Sequence, residues 1–218
     1  QAVIPYLDDL TESARLIGAV NTVLHQDGLL IGHNTDGIGF FKSLETLRAF
    51  HVRNKRLTIL GGGGASTAII AQAAIDGAKE ITIFCRPQSV ERTVATVQTI
   101  AQSTGVSLQV LPNNDSQLLA EHINNSDLLI NGTSVGMDGT SLPLPATIRF
   151  PEELLVADVI YQPFETPLLK MANSQGNPTI NGLGMLLFQA AEAFELWTGK
   201  EMPTDLIWQR LVQKYDIK

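Results

Sequence analysis

From about residue 57 onward, short β-branched apolar runs alternate with longer stretches whose apolar residues recur at helical spacing. The runs predict strands at Leu57–Leu60, Glu80–Phe84, Ser107–Leu111, Asp127–Ile130, Leu154–Ile160 and Pro178–Ile180. Helices are expected between them at Ala65–Asp76, Ser89–Ser103 and, more briefly, Ser116–Ile123. Strands and helices alternating in this way predict an α/β fold: a Rossmann-type doubly wound parallel sheet with helices on both faces. The intervening Pro112-Asn113-Asn114-Asp115 and Gly139 to Pro145 have turn-forming composition. No internal repeat or low-complexity segment interrupts the pattern.

The flanks follow a different rhythm. Residues 7–17 predict a helix, with Leu7, Leu10, Ala14 and Ile17 along one side and Thr11 near its start. Val20–Leu24 and Leu29–Ile31 predict a hairpin turned by Gln26-Asp27-Gly28. Two further helices, Leu183–Trp197 and Leu206–Tyr215, end the chain. These flanks read as remnants of a second α/β domain that both precedes and follows the alternating fold. The expected division is residues 1–35 from that second domain, 36–182 as the Rossmann-type domain, and 183–218 as helices packing back toward the second domain.

Composition narrows the function classes. The 218 residues are 44% hydrophobic and 17% charged, enough for a core and too few charges for a disordered chain. A formal charge of −7 with no Lys/Arg block excludes a general nucleic-acid binder, because phosphate neutralisation needs clustered cations. A small anion is still admissible, since main-chain amides at a helix start bind one without a basic surface. No run approaches the roughly 20 apolar residues of a membrane span, and no signal peptide is present. The single cysteine, Cys85, forms no intrachain disulfide, suits a reducing cytoplasm, and lies in an apolar run as a strand residue. His25, His33, His51 and His122 lack metal-ligand spacing, so no metal is expected, and His33, beside Asn34, is read as a surface residue, the alternative being a place near the cleft. No Ser-His-Asp arrangement is evident. The chain begins at Gln1 without the features of a domain start, so an upstream segment is expected.

Chemistry enters at Leu57-Thr58-Ile59-Leu60-Gly61-Gly62-Gly63-Gly64-Ala65-Ser66, a buried strand running through a glycine turn into a helix. Gly61 permits the tight turn and Gly63 lets a pyrophosphate approach the backbone. The following helix offers free N–H groups and the positive end of its dipole. Ser66 stands where a third glycine is usual and is small enough for close helix–strand contact. Gly61, Gly62, Gly63, Gly64 and Ala65 are therefore the expected cofactor-binding residues of the loop, the plainer alternative being a flexible turn. Cofactor choice is read about 20 residues later, where a carboxylate would hold the ribose hydroxyls of NAD. Phe84-Cys85-Arg86-Pro87-Gln88 contains none. Arg86 can pair with a 2′-phosphate, lie against the adenine, or simply be solvated, which leans the expectation to NADP with NAD possible.

Further stretches occur in a particular order: Leu7-Asp8-Asp9-Leu10-Thr11, Gly18-Ala19-Val20-Asn21-Thr22, and Asn34-Thr35-Asp36-Gly37. After the glycine loop come Asn131-Gly132-Thr133-Ser134-Val135-Gly136-Met137, Asp158-Val159-Ile160-Tyr161-Gln162-Pro163 and Thr166-Pro167-Leu168-Leu169. Gly182-Leu183-Gly184-Met185-Leu186-Leu187-Phe188-Gln189 completes the series. The ordered series resembles the shikimate dehydrogenase family, including its quinate/shikimate branch, over nearly the whole chain.

The resemblance implies reversible hydride transfer between NADP(H) and a cyclohexene or cyclohexane carboxylate, with 3-dehydroshikimate reduced to shikimate, or quinate oxidised with NAD. It assigns Asn21, Thr35, Asp36, Tyr161 and Gln189 to the substrate side. Asp36 becomes the carboxylate of a catalytic Lys/Asp pair, since a carbonyl accepting hydride needs a proton on its oxygen. Residue by residue, Asn34–Gly37 would otherwise read as a turn with an Asp helix cap. Thr133, Ser134, Val135 and Met137 would line the nicotinamide side, which Gly182, Gly184 and Met185 approach through their backbone. The family's Ser-x-Ser motif and catalytic lysine belong to a region N-terminal to these residues, and neither Lys42 nor Lys55 matches the lysine. The expectation is a chain that holds cofactor and turns over poorly by itself, as a monomer or homodimer with a small-molecule substrate. The alternative is a non-catalytic dinucleotide-binding module.

Overall fold

A computed structural model describes residues 1–215. Near the N-terminus, β1 (Asp9–Leu10), β2 (Thr22–Gln26) and β3 (Leu29–His33) form a small sheet in the order β1-β3-β2. The hairpin turn is at Asp27-Gly28, both residues with positive φ. α1 spans Glu12–Ile17.

The helix expected over 7–17 is thus confined to its last six residues. Asp8 N–H donates to Leu30 O at 2.9 Å, and Thr11 N–H to Gly32 O at 2.9 Å, so the preceding chain is held extended against β3. Leu7 and Leu10 fill the space above Gly32 rather than one stripe of a helix. Tertiary pairing overrides the apolar spacing. Thr11 caps α1 instead, its Oγ1 accepting from Ala14 N–H at 3.4 Å.

α2 (Asp36–Arg48) was not anticipated as a helix, and its start explains why. Gly37 and Gly39 each disfavour helix by about 1 kcal/mol relative to alanine. Their lack of a side chain is used in packing. A Cβ at position 37 would lie 2.4 Å from the Ala68 carbonyl oxygen of α3 (Gly64–Ile75), and one at position 39 would lie 2.4 Å from the Gln189 nitrogen of α7 (Leu183–Thr198). α2 is wedged between those two helices.

The large sheet contains β4 (Arg56–Leu60), β5 (Glu80–Cys85), β6 (Ser107–Pro112), β7 (Leu128–Asn131), β8 (Leu155–Asp158) and β9 (Thr179–Ile180). All its strands are parallel, in the order β6-β5-β4-β7-β8-β9. The strands are apolar on both faces because both are covered. Leu57, Ile59, Ile81, Ile83, Leu128 and Ile130 join the core under α2, α3 and α4 (Val90–Thr104). Leu60, Phe84, Leu129 and Val156 face the opposite core under α5 (Ser116–Asn124) and α6 (Pro167–Ser174). This is the doubly wound α/β fold expected from the alternation. β8 stops at Asp158, two residues short of the predicted strand end.

α6 was not anticipated either, although Thr166-Pro167 is a helix-start signal. Thr166 Oγ1 accepts from Leu169 N–H at 3.3 Å, and Pro167 occupies the first turn. α8 (Thr204–Tyr215) ends the described chain. Cys85 is buried in β5. Among the described residues, no helix is long and apolar enough to cross a membrane, and no group of three or more His, Cys, Asp or Glu is arranged to hold a metal.

Candidate active site

The chain crosses from one side of the large sheet to the other between β4 and β7, so the loops leaving their carboxyl ends diverge and open a crevice. There a cavity of about 390 Å³ is lined by Gly61, Gly62, Gly63, Arg86, Thr133, Ser134 and Val135, all expected cofactor residues. Gly61 has φ +97°, and a Cβ there would lie 2.6 Å from Thr133 Cγ2, so both backbone and neighbour require glycine. Gly63 caps α3 without a side-chain bond to its free N–H groups. A Cβ at Gly63 or Gly64 would meet nothing within 4 Å, leaving the helix start open to an anion. Ala65 lies in the first turn of α3. Ser66 is fully buried, and its Oγ donates to Gly132 O at 3.3 Å, the close helix–strand contact expected of it.

Three residues that sequence reading missed share this cavity: Ser89, Arg92 and Asn113. Arg92 lies six positions after Arg86 in the first turn of α4, a spacing that could have been read once that helix was placed. Neither arginine pairs with a carboxylate among the described residues. Two guanidinium groups and no acid thus line this crevice.

The second constellation surrounds the start of α2. Asn21 Nδ2 donates to Asp36 Oδ1 at 2.9 Å and to Thr35 Oγ1 at 3.1 Å, while its Oδ1 accepts from Thr35 N–H at 3.1 Å. The Thr35 hydroxyl has two acceptors at 3.4 Å, Asn21 Oδ1 and Gln189 Oε1. Asn34 Oδ1 accepts from Asp36 N–H at 3.1 Å and so shapes the turn into the helix. Residues from the bend before β2, the start of α2 and α7 are thereby joined: Asn21, Thr35, Asp36 and Gln189 meet. Burial pushes the Asp36 carboxyl above its ordinary range, against the hydrogen bond from Asn21.

Tyr161 is not in that cluster. It lines a separate cavity of about 570 Å³ with Met137, Val159, Ile160 and Gln162. Gly132, Thr133 and Ser134 also line this cavity, so one loop forms a wall of both spaces. Gly182 and Met185 line neither. Gly182 is pressed against the Val159 carbonyl, and the Met185 side chain packs on the core. His33 departs from its expected surface role. It lines a cavity of about 240 Å³ with Thr11, Gln72 and Glu192, and its Nε2 is buried without a partner. Burial lowers its pKa, opposed by the Glu192 charge. Lys55 bonds Asp127 at 3.2 Å where β4 and β7 begin, at the end of the strands opposite the crevice.

Beneath the 131–137 loop lies a buried polar group also missed from the sequence. Asp158 accepts from Asn131 Nδ2 (3.1 Å to each oxygen), Ile160 N–H (3.0 Å) and Thr166 Oγ1 (2.7 Å). Burial raises its pKa to about 6 against those donors.

Fold and crevice together define a dinucleotide-binding α/β protein of the oxidoreductase type. Residues 182–212 match the family described as the shikimate 5'-dehydrogenase C-terminal domain. A shikimate dehydrogenase (NADP(+)) from Streptococcus suis is 83% identical over 218 residues, covering 100% of this chain and 75% of that protein. A solved shikimate 5-dehydrogenase from Listeria monocytogenes, in complex with shikimate and NAD, is 44% identical with a TM-score of 0.90, over 96% of this chain and 73% of that one. Quinate dehydrogenase from Corynebacterium glutamicum in complex with NAD is 28% identical with a TM-score of 0.85, over 98% of this chain and 74% of that one. The chain belongs to the shikimate dehydrogenase family.

Proposed function

We propose that the chain carries the cofactor cleft and part of the ring-binding face of a cytoplasmic NADP-dependent shikimate dehydrogenase, which reversibly reduces 3-dehydroshikimate to shikimate. The observation that carries this reading is the meeting of Asn21, Thr35, Asp36 and Gln189 at the start of a helix packed on the one that leaves the glycine loop. The Streptococcus suis relative, named for shikimate and NADP(+), supports the substrate and cofactor.

The crevice fits NADP: open space over the α3 start, and two unpaired arginines bordering the other end. Amides of α3 would take the pyrophosphate and Arg86 with Arg92 the 2′-phosphate, as planar guanidinium groups suit it. NADP(H), when bound, supplies or accepts the hydride at its nicotinamide. Thr133, Ser134, Val135 and Met137 wall that side, with Gly182 and Met185 behind them through their backbone.

The polar cluster manages the proton and the ring hydroxyls. Asn21, Thr35 and Gln189 present amide and hydroxyl groups suited to hydroxyls, and Tyr161 closes the opposite side of the neighbouring cavity. Asp36 holds the proton donor for the ring oxygen, as the carboxylate of a Lys/Asp pair whose lysine the family pattern places before Leu7. Its burial and the Asn21 bond fix its orientation. General acid–base groups of this kind contribute about 10²- to 10⁴-fold.

The test follows nicotinamide absorbance with shikimate or quinate and with NADP+ or NAD+, using this chain and a longer chain that includes the region carrying the family's catalytic lysine. Turnover of shikimate with NADP+ by the longer chain is expected, with cofactor binding by both. Cofactor binding without turnover in either would leave a non-catalytic nucleotide-binding module and end the dehydrogenase reading.

A further inference from the structure

Asn131 and Asp158 are the last residues of β7 and β8, and they face each other in the parallel register. The two loops bounding the 570 Å³ cavity therefore leave the sheet from this pair. Loop 132–137 departs from Asn131, and segment 159–163 departs from Asp158. Both side chains are almost completely buried. Buried acids are ordinarily matched to a cation or neutralised, because desolvating a carboxylate is costly. No cation faces Asp158 among the described residues. Its partners are an amide, a main-chain N–H and a hydroxyl.

Those partners have a common polarity. Asn131 Nδ2 gives one hydrogen to Val135 O at 3.0 Å and shares the other between the two Asp158 oxygens at 3.1 Å each. The Asn131 amide is thereby turned so that its Oδ1 faces the loop, accepting from Thr133 N–H at 3.1 Å and Thr133 Oγ1 at 2.7 Å. The opposite amide orientation would set Oδ1 against the carboxylate and the Val135 carbonyl. On the other side, Asp158 Oδ1 holds Ile160 N–H, and Oδ2 takes the Thr166 hydroxyl that caps α6. Every contact donates to Asp158, so the ionised form completes the network. A proton on Oδ2 would have to turn the Thr166 hydroxyl from donor to acceptor, and one on Oδ1 would displace the Ile160 N–H or the Asn131 amide.

We propose that Asp158 is a positioning residue of the reaction, a latch that acts through Asn131 and Thr166 to hold the cofactor-side loop 132–137 and the ring-side segment 159–163 in one fixed relation across the cavity they share. This rests on the dehydrogenase reading above, since that reading makes the cavity the meeting place of nicotinamide and ring. Misplacing reacting partners by about 1 Å costs on the order of 10²-fold in rate. A latch between the two walls therefore acts on turnover more than on cofactor affinity.

The experiment is Asp158→Asn, which keeps the shape and removes the charge, with Thr166→Val as a second variant that keeps the carboxylate and deletes one donor. Hydrogen exchange of this chain is read by mass spectrometry over 131–137 and 159–166. In Asp158→Asn, both segments are expected to exchange about tenfold faster or more, the scale of one charge-assisted hydrogen bond. In Thr166→Val, the distant 131–137 segment loosens too, by less. In the active enzyme, kcat with shikimate falls about tenfold or more, while KM for NADP+ stays within about threefold. Loosening of 159–166 alone, or an unchanged kcat per folded molecule, overturns the proposal. If Asp158→Asn does not fold, the Thr166→Val result decides. A wild-type protein that fails to oxidise shikimate ends the functional reading, and the exchange comparison separately tests the latch.

Discussion

At the glycine loop, from Gly61 to Ser66, recognition is built from main chain: open amides, one positive φ, and space where side chains would be. Across α2, at Asn21, Thr35, Asp36 and Gln189, it is built from side chains interlocked by hydrogen bonds. The first surface suits a ligand part that varies little, a pyrophosphate, and tolerates solvent. On the proposed reading the second tells one ring hydroxyl from another, and partly buried donors and acceptors discriminate strongly because each mismatch leaves a polar group unpaired. The difference teaches where substitutions should register: cofactor affinity on one side, turnover on the other.

The comparison breaks first at Asp36. In the active enzyme, Asp36→Asn is expected to lower kcat about a thousandfold, with the NADP+ dissociation constant changed less than about threefold. Steady-state rates and a fluorescence titration would check this, and equal loss in both would mean the two surfaces are not separable. Next comes the contact joining them. Gly39→Val places atoms against the Gln189 backbone, where even a Cβ would be 2.4 Å from its nitrogen. It should cost about 3 kcal/mol of stability, read from denaturant unfolding.

A third effect concerns pH. Asp158 is raised from 3.8 to about 6 by burial, so between those values the folded chain holds a proton that the unfolded chain has released. Stability from this group is full below about pH 4 and lost as pH rises to 6, by about 3 kcal/mol. Asp158→Asn should flatten that decline in unfolding curves measured from pH 4 to 7. The smallest effect belongs to the main-chain side. Arg86→Ala or Arg92→Ala should weaken NADP+ about tenfold each, near 1.4 kcal/mol, and leave NAD+ unchanged in calorimetry. An equal loss for NAD+ would assign the arginines to adenine rather than the 2′-phosphate.

What the sequence made legible divides along the same line. The glycine loop and Arg86 each follow a strand end, so local pattern picked them out, whereas the 131–137 loop was picked out through family resemblance. Arg92 escaped because, although the helix over Ser89–Ser103 was anticipated, only the fold shows that its first turn borders the crevice. α2 escaped because Gly37 and Gly39 read as a loop until Ala68 and Gln189 are known to press on them. Leu7 and Leu10 mimicked a helix stripe while packing on a strand. The four-residue polar cluster was named only through family resemblance, since Asn21 and Gln189 lie far apart in the chain. Asp158 could be paired with Asn131 only after the β7–β8 register was known. Contacts set by local chemistry are readable from sequence; contacts set by register and helix packing need the fold.

α2 meets α3 through Gly37 and α7 through Gly39, with no layer of side chains at those two points. Helices seated backbone to backbone cannot slide past each other without collision, so the three travel as a rigid body. Asp36 is carried on the first turn of that body, and the cofactor loop leads into the same body at the start of α3. Any breathing of the cleft would then be taken up outside that body. The distance from the carboxylate to the pyrophosphate seat would stay constant while the mouth opens, and substrate entry would not disturb the spacing on which proton and hydride transfer depend.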